Sequence, residues 1–494
     1  MPFAWNLPYM SVFLAMVTAI LLSVLPGAKR AYWLTVGVSA AVTVMSLVFL
    51  AFIVRADASY AFTMGKFPAP FGNEIKFGPL QGLFASVFAA VMCLSLLGGR
   101  EELFEDVDEK KMGLACVMFN MILASLLVLT YTNDAFTAYV FIEISTIAAC
   151  ALVMIKDTGP TLVATIRYLF MSLLGSGLFL FSVILLYAIT GHLLMPQLTE
   201  SVAKLVSSGR YHLPLALCLS LMTAGLGIKS AMFPFHRWLP DAHGTATTAS
   251  SAVLSGLVLK GYAVLMITMF CRVFTLDTVR MFHVNDVVFL LGLLGMIVGS
   301  LRAIREHNAK RMLAYSSVAQ LGYVFMGIGL GTAAGVAAAC FQIIAHACTK
   351  SLLFLCVGRL SSTVGHNKHL AVLRGSGWEA PLAGIGFGVG ALSMIGIPLF
   401  GGFAAKVNFA GASIAGREKI FLTLLVLAVS SILNALYYIP AVIAIWSDRK
   451  VGPGVVEHDR ANSVAVVILA AAVIFLGVNF QPIMDIIARG LQLM

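Results

Sequence analysis

A small set of ionisable residues lies within otherwise apolar stretches of this sequence. Lys229 and Lys260 stand on either side of a short polar segment, and each is surrounded by apolar residues. A lysine at the centre of a lipid bilayer costs roughly 2.5 to 3.5 kcal/mol on insertion scales, so it usually marks a proton, ion or ligand pathway. These lysines therefore predict proton or ion transfer if the segments around them cross a membrane.

The composition predicts that they do. Of 494 residues, 60% are hydrophobic and only 11% are charged, whereas soluble domains carry roughly 25% charged residues. Apolar windows of about 20 residues recur about fourteen times along the chain. The expected fold is an all-α polytopic membrane protein with about 14 transmembrane helices embedded in the lipid bilayer. The net charge of +10 fits basic membrane-flanking loops, and without a basic run interleaved with aromatic residues we expect no nucleic-acid partner.

Basic residues are unevenly distributed between the two sets of loops. The loops on the side away from both termini hold the larger share, including those of Lys110 and Lys111 and of Arg449 and Lys450. Loops enriched in lysine and arginine face the cytoplasm. Both termini are therefore predicted to lie outside.

Few ionisable side chains remain inside the predicted spans once the loops are set aside. They are one carboxylate, one imidazole and four amines: Glu143, His346, Lys229, Lys260, Lys350 and Lys406. Glu143 is the expected counter-charge of Lys229, with a purely structural ion pair as the alternative. His346 precedes Lys350 by four residues, which places both on one helix face. A hydrogen-bonded core role for His346 and a snorkelling Lys350 are the alternatives to proton transfer.

Glycine and proline interrupt the spans of Lys229 and Lys406. Irregular backbone at membrane depth is tolerated where it lines a cavity, and paired interruptions in two halves point to a transport site. Laying Lys229 on Lys406 needs a shift of 406 − 229 = 177 along the chain, and laying Ser172 on His346 needs 346 − 172 = 174. The similar shifts predict two inverted five-helix repeats in which helices 7 and 12 are broken.

The chain is accordingly predicted to be a single membrane domain, residues 1–494. Its expected parts are helices 1 to 3 in 1–112, the first repeat in 113–270, the second repeat in 286–446, and helix 14 with the C-terminus in 462–494.

Two polar segments carry further predictions. The segment HRWLPDAH is read as a cytoplasmic turn in which His236 and His243 serve proton uptake, with capping and loop packing as alternatives, and Arg237 is expected to pair with Asp241. The acidic segment 100–111 is expected to be a solvated surface, with docking of a cytoplasmic arm as the alternative. The eight cysteines form no CxxC and pair with no histidine at ligand spacing, so neither a metal nor another cofactor is expected.

Four segments together resemble a known family: HRWLPDAH, SGLVLK ending at Lys260, KRMLAYSS, and GIPLFGGFAAK ending at Lys406. They are similar to the antiporter-like subunits shared by respiratory complex I, Mrp-type Na+/H+ antiporters and energy-converting membrane-bound hydrogenases. The resemblance implies a fourteen-helix core and a proton relay across the middle of the membrane. By position it implies that this relay comprises Glu143, Lys229, Lys260, His346 and Lys406, and we add Lys350. The segment GTATTASSA, where many relatives carry a proline-containing stretch, leaves the subfamily open.

Two functions follow from the resemblance. The first is a proton-translocating subunit of a redox-driven complex in a prokaryotic plasma membrane. Its expected partners are other membrane subunits, homologous antiporter-like subunits among them, and a cytoplasmic redox arm. The second is a subunit of an Mrp-type Na+/H+ antiporter without redox partners. Redox catalysis within this chain is disfavoured because the sequence has no nucleotide-binding glycine loop and no cluster or haem ligand set.

Overall fold

A computed structural model describes residues 3–67, 72–417, 419–448 and 459–494. Nearly all of these residues are helical, as the composition predicted. Arg449 and Lys450, which the sequence assigns to a cytoplasmic loop, lie outside the described residues.

The helices follow one another with short connections, and one hairpin of two strands interrupts them. Their bounds are α1 Leu7–Val24, α2 Ala28–Ala56, β1 Tyr60–Thr63, β2 Glu74–Phe77, α3 Pro79–Gly98, α4 Arg100–Asp106, α5 Glu109–Tyr131, α6 Ala135–Met154, α7 Gly159–Thr190, α8 Met195–Ser207, α9 His212–Lys229, α10 Trp238–Thr245, α11 Thr248–Val253, α12 Leu259–Thr268, α13 Leu276–Met281, α14 Val284–Ile304, α15 Ala309–Gly329, α16 Ala333–Ser362, α17 Pro381–Ile395, α18 Gly401–Gly416, α19 Ile420–Ile445, α20 Arg460–Val478 and α21 Phe480–Gln492. Strands β1 and β2 pair antiparallel, with Tyr60 opposite Phe77. Two π-helical segments, Leu254–Val258 and Met269–Phe274, flank α12.

Within the described residues, 13 helices are long and apolar enough to cross a membrane. The predicted span 380–408 is not among them because it is divided between α17 and α18. Gly396 follows α17 with a φ of 92°, a left-handed conformation that favours glycine. The chain resumes a helix only at Gly401.

The span around Lys229 is likewise divided. Helix α9 ends at Lys229, and α10 begins at Trp238. The segment HRWLPDAH is therefore mostly helical, and its prediction as a turn is wrong. Buried Trp238, Leu239 and Ala242 hold α10 against the rest of the bundle, with α7 and α15 as its neighbours.

The two breaks do not correspond in the register that the lysines suggested. Lys229 is the last residue before its break, whereas Lys406 lies within α18, after its break. The helices that precede the breaks end at Lys229 and at Ile395. The shift that lays Lys229 on Lys406 therefore does not superpose the two helix ends.

The N-caps of two other helix pairs follow the shift that lays Ser172 on His346. Asp134 caps α6 and Asn308 caps α15, with 308 − 134 = 174. Thr158 precedes α7 and Thr332 caps α16, with 332 − 158 = 174. The side chains of Asp134, Asn308 and Thr332 each accept a hydrogen bond from a backbone amide in the first turn of the helix. The Thr158 side chain forms part of a capping box.

The core of the bundle lies around three segments that are almost completely buried: Thr248–Phe274, α15 and α16. Peripheral helices such as α1, α19 and α20 expose much of their apolar surface, as lipid-facing helices do. Lysines and a histidine on the central segments are therefore shielded from both water and lipid.

The break between α17 and α18 is closed by contact between backbone groups. The Gly402 amide donates to the Ser393 hydroxyl at 3.1 Å, and a Cβ on Gly402 would overlap the Ser393 carbonyl, whereas a Cβ on Gly411 in the same helix has open space. Overpacking typically costs about 1 to 3 kcal/mol. We expect Gly402→Ala to lower the melting temperature of the purified complex by several degrees and Gly411→Ala to leave it unchanged. Equal melting temperatures would contradict this packing.

Candidate functional site

Lys229 ends α9 and is buried in the first half of the chain. It is 1% exposed, and its Nζ donates to the Thr146 hydroxyl on α6. The same Nζ lies 5.6 Å from the centre of the Tyr262 ring on α12, a cation–π arrangement. The Tyr262 hydroxyl is in turn hydrogen-bonded to Ser145 at 2.7 Å. The Thr146 hydroxyl and the Tyr262 ring thus hold the ammonium.

Glu143 lies one turn before Thr146 on α6 and is half-buried. The ion pairs of the described residues do not include one between Glu143 and Lys229, although the two charges interact at longer range. Glu143 and Lys229 therefore do not form the direct structural ion pair that was the alternative. The carboxylate acts on the amine through space and not through a direct contact.

Lys260 lies on α12 in the centre of the bundle. Its side chain is wholly buried, and its Nζ donates to the backbone carbonyl of Ser255, which belongs to the π-helical segment Leu254–Val258. A π-helical turn disturbs the regular hydrogen bonding of a helix and often marks a functional site. The Ser255 hydroxyl also contacts the Ser317 hydroxyl of α15 at 2.7 Å. Lys260 therefore lies where the first half of the chain contacts the second.

His346 and Lys350 both lie on α16 and are both buried. Lys350 donates to the carbonyl of Leu313 at 2.8 Å and to the hydroxyl of Tyr438 at 3.2 Å. A snorkelling lysine would extend its Nζ towards the membrane surface, so that alternative is wrong. Neither ring nitrogen of His346 has a protein partner among the described residues. The described residues thus do not give the imidazole the hydrogen bonds of a purely structural histidine.

Lys406 lies in α18, shortly after the break between α17 and α18, and is half-buried. Its Nζ donates to the carbonyl of Ile395, the last residue of α17, at 2.5 Å and to the Ser431 hydroxyl of α19 at 2.7 Å. It also lies 5.6 Å from the centre of the Tyr323 ring. The broken helix frees the carbonyl that holds this lysine, because the helix leaves its last carbonyls without intrahelical donors.

Tyrosine rings beneath the lysines are a shared feature that the sequence did not indicate. Tyr262 lies under Lys229, Tyr438 under Lys350 at 6.0 Å, and Tyr323 under Lys406. Each ring comes from a different helix than its lysine, so no sequence spacing connects the pairs. Each lysine thus has an aromatic face and a hydroxyl acceptor in place of a carboxylate.

His236 and His243 lie inside the bundle and not at an exposed turn. His236 is 6% exposed and lines a cavity of about 820 Å³ with Arg237 and Arg302. Burial, assisted by the charges of Arg302 and Arg237, lowers the pKa of His236 to about 4. His236 could take up a proton from this cavity. The predicted pairing of Arg237 with Asp241 is wrong, since Asp241 binds two other arginines, Arg167 at 2.6 Å and Arg311 at 2.8 Å.

His243 is completely buried on α10. Burial, together with the cationic charges of Lys260, Lys350 and Lys310, lowers the pKa of its imidazole to about 3. The described residues offer neither ring nitrogen a hydrogen-bond partner, and the ring lies 5.2 Å from that of Phe354. His243 is therefore a neutral imidazole on which the charges of three buried lysines act.

The acidic segment 100–111 is not simply a solvated surface, because part of it forms α4 and packs inward. Glu102 has a side chain only 8% exposed and binds Lys310 at 3.2 Å and Lys368 at 2.8 Å. Burial favours protonation of Glu102, but Lys310 and then Lys368 outweigh it and hold the pKa of the carboxyl below its usual value. Sequence reasoning missed Lys310, which it assigned to a loop and whose side chain is 0% exposed.

Further pairs fix the rest of α4. They are Glu101 with Arg359 at 2.7 Å, Glu105 with His366 at 3.3 Å, and Asp106 with Lys156 at 2.7 Å. These partners come from α16, from the segment after it, and from the connection between α6 and α7. Helix α4 thus joins elements from both halves of the chain.

No group of three or more His, Cys, Asp or Glu side chains that could hold a metal ion occurs within the described residues. The eight cysteines are unpaired thiols. The candidate site itself consists of amines, imidazoles, hydroxyls and one carboxylate, groups that can exchange protons.

Residues 132–433 match the family described as NADH:quinone oxidoreductase/Mrp antiporter, transmembrane. NADH-quinone oxidoreductase subunit N of Desulforudis audaxviator is 31% identical over 459 residues, which cover 89% of this chain and 88% of that protein. Among solved structures, a chain of an archaeal membrane-bound sulfane sulfur reductase, a respiratory membrane complex, superposes with a TM-score of 0.87 at 24% identity, covering 99% of this chain and 97% of that one. A chain of the Mrp complex from Dietzia sp. DQ12-45-1b also superposes with a TM-score of 0.87, at 19% identity and the same coverage.

Proposed function

The chain belongs to the NADH:quinone oxidoreductase/Mrp antiporter family of membrane proteins, and on this premise we propose that it translocates protons through its buried amines and imidazoles. It is an antiporter-like, multi-pass membrane subunit of a multisubunit, redox-driven complex of the complex I type. The redox centres belong to other subunits, and this chain supplies a path for protons.

The line of buried ionisable groups supports this proposal. Glu143 on α6, Lys229 on α9, Lys260 on α12, His346 with Lys350 on α16, and Lys406 on α18 follow one another through the helices. Intramembrane ionisable residues are costly and are retained chiefly where they carry ions or protons. Their hydroxyl and carbonyl partners hold the amines without neutralising them, so each amine remains able to release its proton.

Glu143 is the group that would couple this path to the rest of the complex. A carboxylate that approaches a buried lysine stabilises the ammonium form, and one that withdraws favours release of the proton. Because Glu143 is half-buried and not in contact with Lys229, a neighbouring subunit could move it. Withdrawal of Glu143 would then pass a proton from Lys229 towards Lys260.

The second candidate is a subunit of an Mrp-type Na+/H+ antiporter, favoured by the likeness to the Dietzia complex. Proteoliposomes holding the whole complex separate the two. For a redox-driven proton translocator, we expect oxidation of the electron donor to change the pH of the lumen, and the rate of this pH change to be the same in Na+ and in choline media. Proton movement that needs Na+ and no electron donor would support the Mrp function instead.

We place both termini on the outer side of the plasma membrane, and α4 with Lys110 and Lys111 on the cytoplasmic side, because the basic loops lie there. The equal spacing of the two N-cap pairs also supports assigning 113–270 and 286–446 to two repeats within the single domain. Labelling of single cysteines introduced at residue 30 and residue 209 by a membrane-impermeant reagent in whole cells tests the orientation. Labelling at residue 30 but not at 209 would contradict it.

A further inference from the structure

The buried group of Lys310, Glu102 and Lys368 is not part of the relay that the sequence indicated. Lys310 and Glu102 lie on different helices, α15 and α4, and both are enclosed. Charges of this kind are costly to bury, even as a pair. They are therefore expected to have a role beyond holding the two helices together.

The contacts of Lys310 direct it towards the relay. Its Nζ donates to the Ala246 carbonyl at 3.1 Å, in addition to Glu102. Ala246 ends α10, three residues after His243. Glu102 is itself held by Lys368 and by the hydroxyl of Thr248 at the start of α11. Lys310 and Glu102 thus contact the chain where α10 ends and α11 begins. His243 precedes this point in the sequence, and Lys260 follows it.

His243 lies close to this pair, because it precedes by three residues Ala246, whose carbonyl accepts from Lys310, and its own carbonyl accepts from the Ser251 hydroxyl of α11 at 3.1 Å. The charges that act on its imidazole are those of Lys260, Lys350 and Lys310. Its ring nitrogens are unpaired among the described residues. A neutral imidazole can accept a proton at one nitrogen and release one from the other, which suits it to pass a proton between amines.

We propose that Lys310 is a further proton-carrying residue, positioned by Glu102 at the cytoplasmic end of the relay, and that it exchanges protons with Lys260 through His243. This inference rests on the proposed function. A proton leaves Nζ of Lys310 for one nitrogen of His243, and the other nitrogen releases a proton to the neutral amine of Lys260. Lys310 regains its proton from the cytoplasmic side, where Lys368 is 13% exposed. Glu102 is a positioning residue: it keeps Lys310 against α10.

Lys310→Arg separates this role from a structural one. Arginine keeps the positive charge and the pair with Glu102, but it does not release a proton in proteins. In the whole complex reconstituted in vesicles, we expect Lys310→Arg to assemble with a wild-type melting temperature and to slow coupled proton transport by about a hundredfold or more, the range of a lost proton-transfer group. Wild-type transport would show that the pair is only structural and would overturn the proposal.

His243→Gln is the second variant, should arginine disturb the packing at Lys310. It removes the titratable ring from a position where no protein hydrogen bond is lost, and we expect a similar loss of transport. Wild-type transport by this variant would also overturn the proposal. Glu102→Gln should impair transport, whereas Glu105→Gln should not, because Glu105 lies on the same helix in an exposed pair with His366.

Lys229→Ala, measured beside these variants, keeps the two proposals distinct. Loss of transport in Lys229→Ala with wild-type rates in Lys310→Arg and His243→Gln would refute the cytoplasmic branch and leave the proposed function standing. Wild-type transport in Lys229→Ala would refute the proposed function itself.

Discussion

Lys229→Ala is expected to abolish coupled proton transport, with a decrease of about a hundredfold or more, the effect of losing a proton-transfer group. The complex should still assemble, because Lys229 forms a single side-chain hydrogen bond, to Thr146. That hydroxyl also donates to the Ile142 carbonyl at 2.8 Å, so it keeps a partner. Proton transport and electron-donor turnover, measured together in proteoliposomes, report the loss of coupling.

Two variants complete this test. Glu143→Gln should lower transport in the same direction, because it removes the charge that controls Lys229 while preserving the shape of the side chain. Lys204→Ala is the matched control, since Lys204 is an exposed lysine on α8 outside the relay. Wild-type pumping by a correctly assembled Lys229→Ala complex would mean that protons do not pass through this amine.

Hydropathy predicted most of the helical spans, but it did not show where the spans of Lys229 and Lys406 are divided. Apolar windows depend only on the local sequence, so the six candidate residues could be found by setting aside charges near span ends. The same rule missed Lys310, because a lysine in the first turn of a helix looks identical to one in a loop. Lys310 is enclosed by tertiary contacts, among them those with the Ala246 carbonyl and with Glu102, which is 208 positions away.

The short helix α10 was missed for a related reason. Its eight residues are too few for a periodic pattern, and its proline, aspartate and histidine are typical of a turn. Burial by α7 and α15 makes the helix stable, and burial depends on the tertiary fold. The tyrosines beneath Lys229, Lys350 and Lys406 could not be found either, because each ring reaches its lysine from another helix.

The register of the broken helices shows how residue type misleads when it is used alone. Lys229 and Lys406 are similar residues next to similar glycines, yet they lie on opposite sides of their breaks. The helix caps Asp134, Asn308, Thr158 and Thr332 are better markers of the shift, because a cap is fixed by the start of its helix. A charged side chain, by contrast, can reach the same site from more than one position in the sequence.

Lys350→Met is the sharpest test of whether protons continue into the second half of the chain. Methionine nearly matches the apolar stem of lysine and removes Nζ. The two groups that lose this donor keep other partners: Leu313 accepts from Ser317 at 3.0 Å, and Tyr438 stays hydrogen-bonded to Ser316 at 2.8 Å. The variant should therefore fold and assemble as the wild type does.

Transport in Lys350→Met should nevertheless fall by about a hundredfold or more, as for other lost proton-transfer groups, because the charge of Lys350 acts on His243 and His346 and interacts with that of Lys260. Tyr438→Phe is the control: it removes the hydroxyl that Lys350 contacts but keeps the ring beneath the ammonium, and it should reduce transport far less. Equal rates in Lys350→Met and the wild type would mean that His346 receives protons from Lys260 directly. Lys350 would then contribute only its charge to the electrostatic environment of His346.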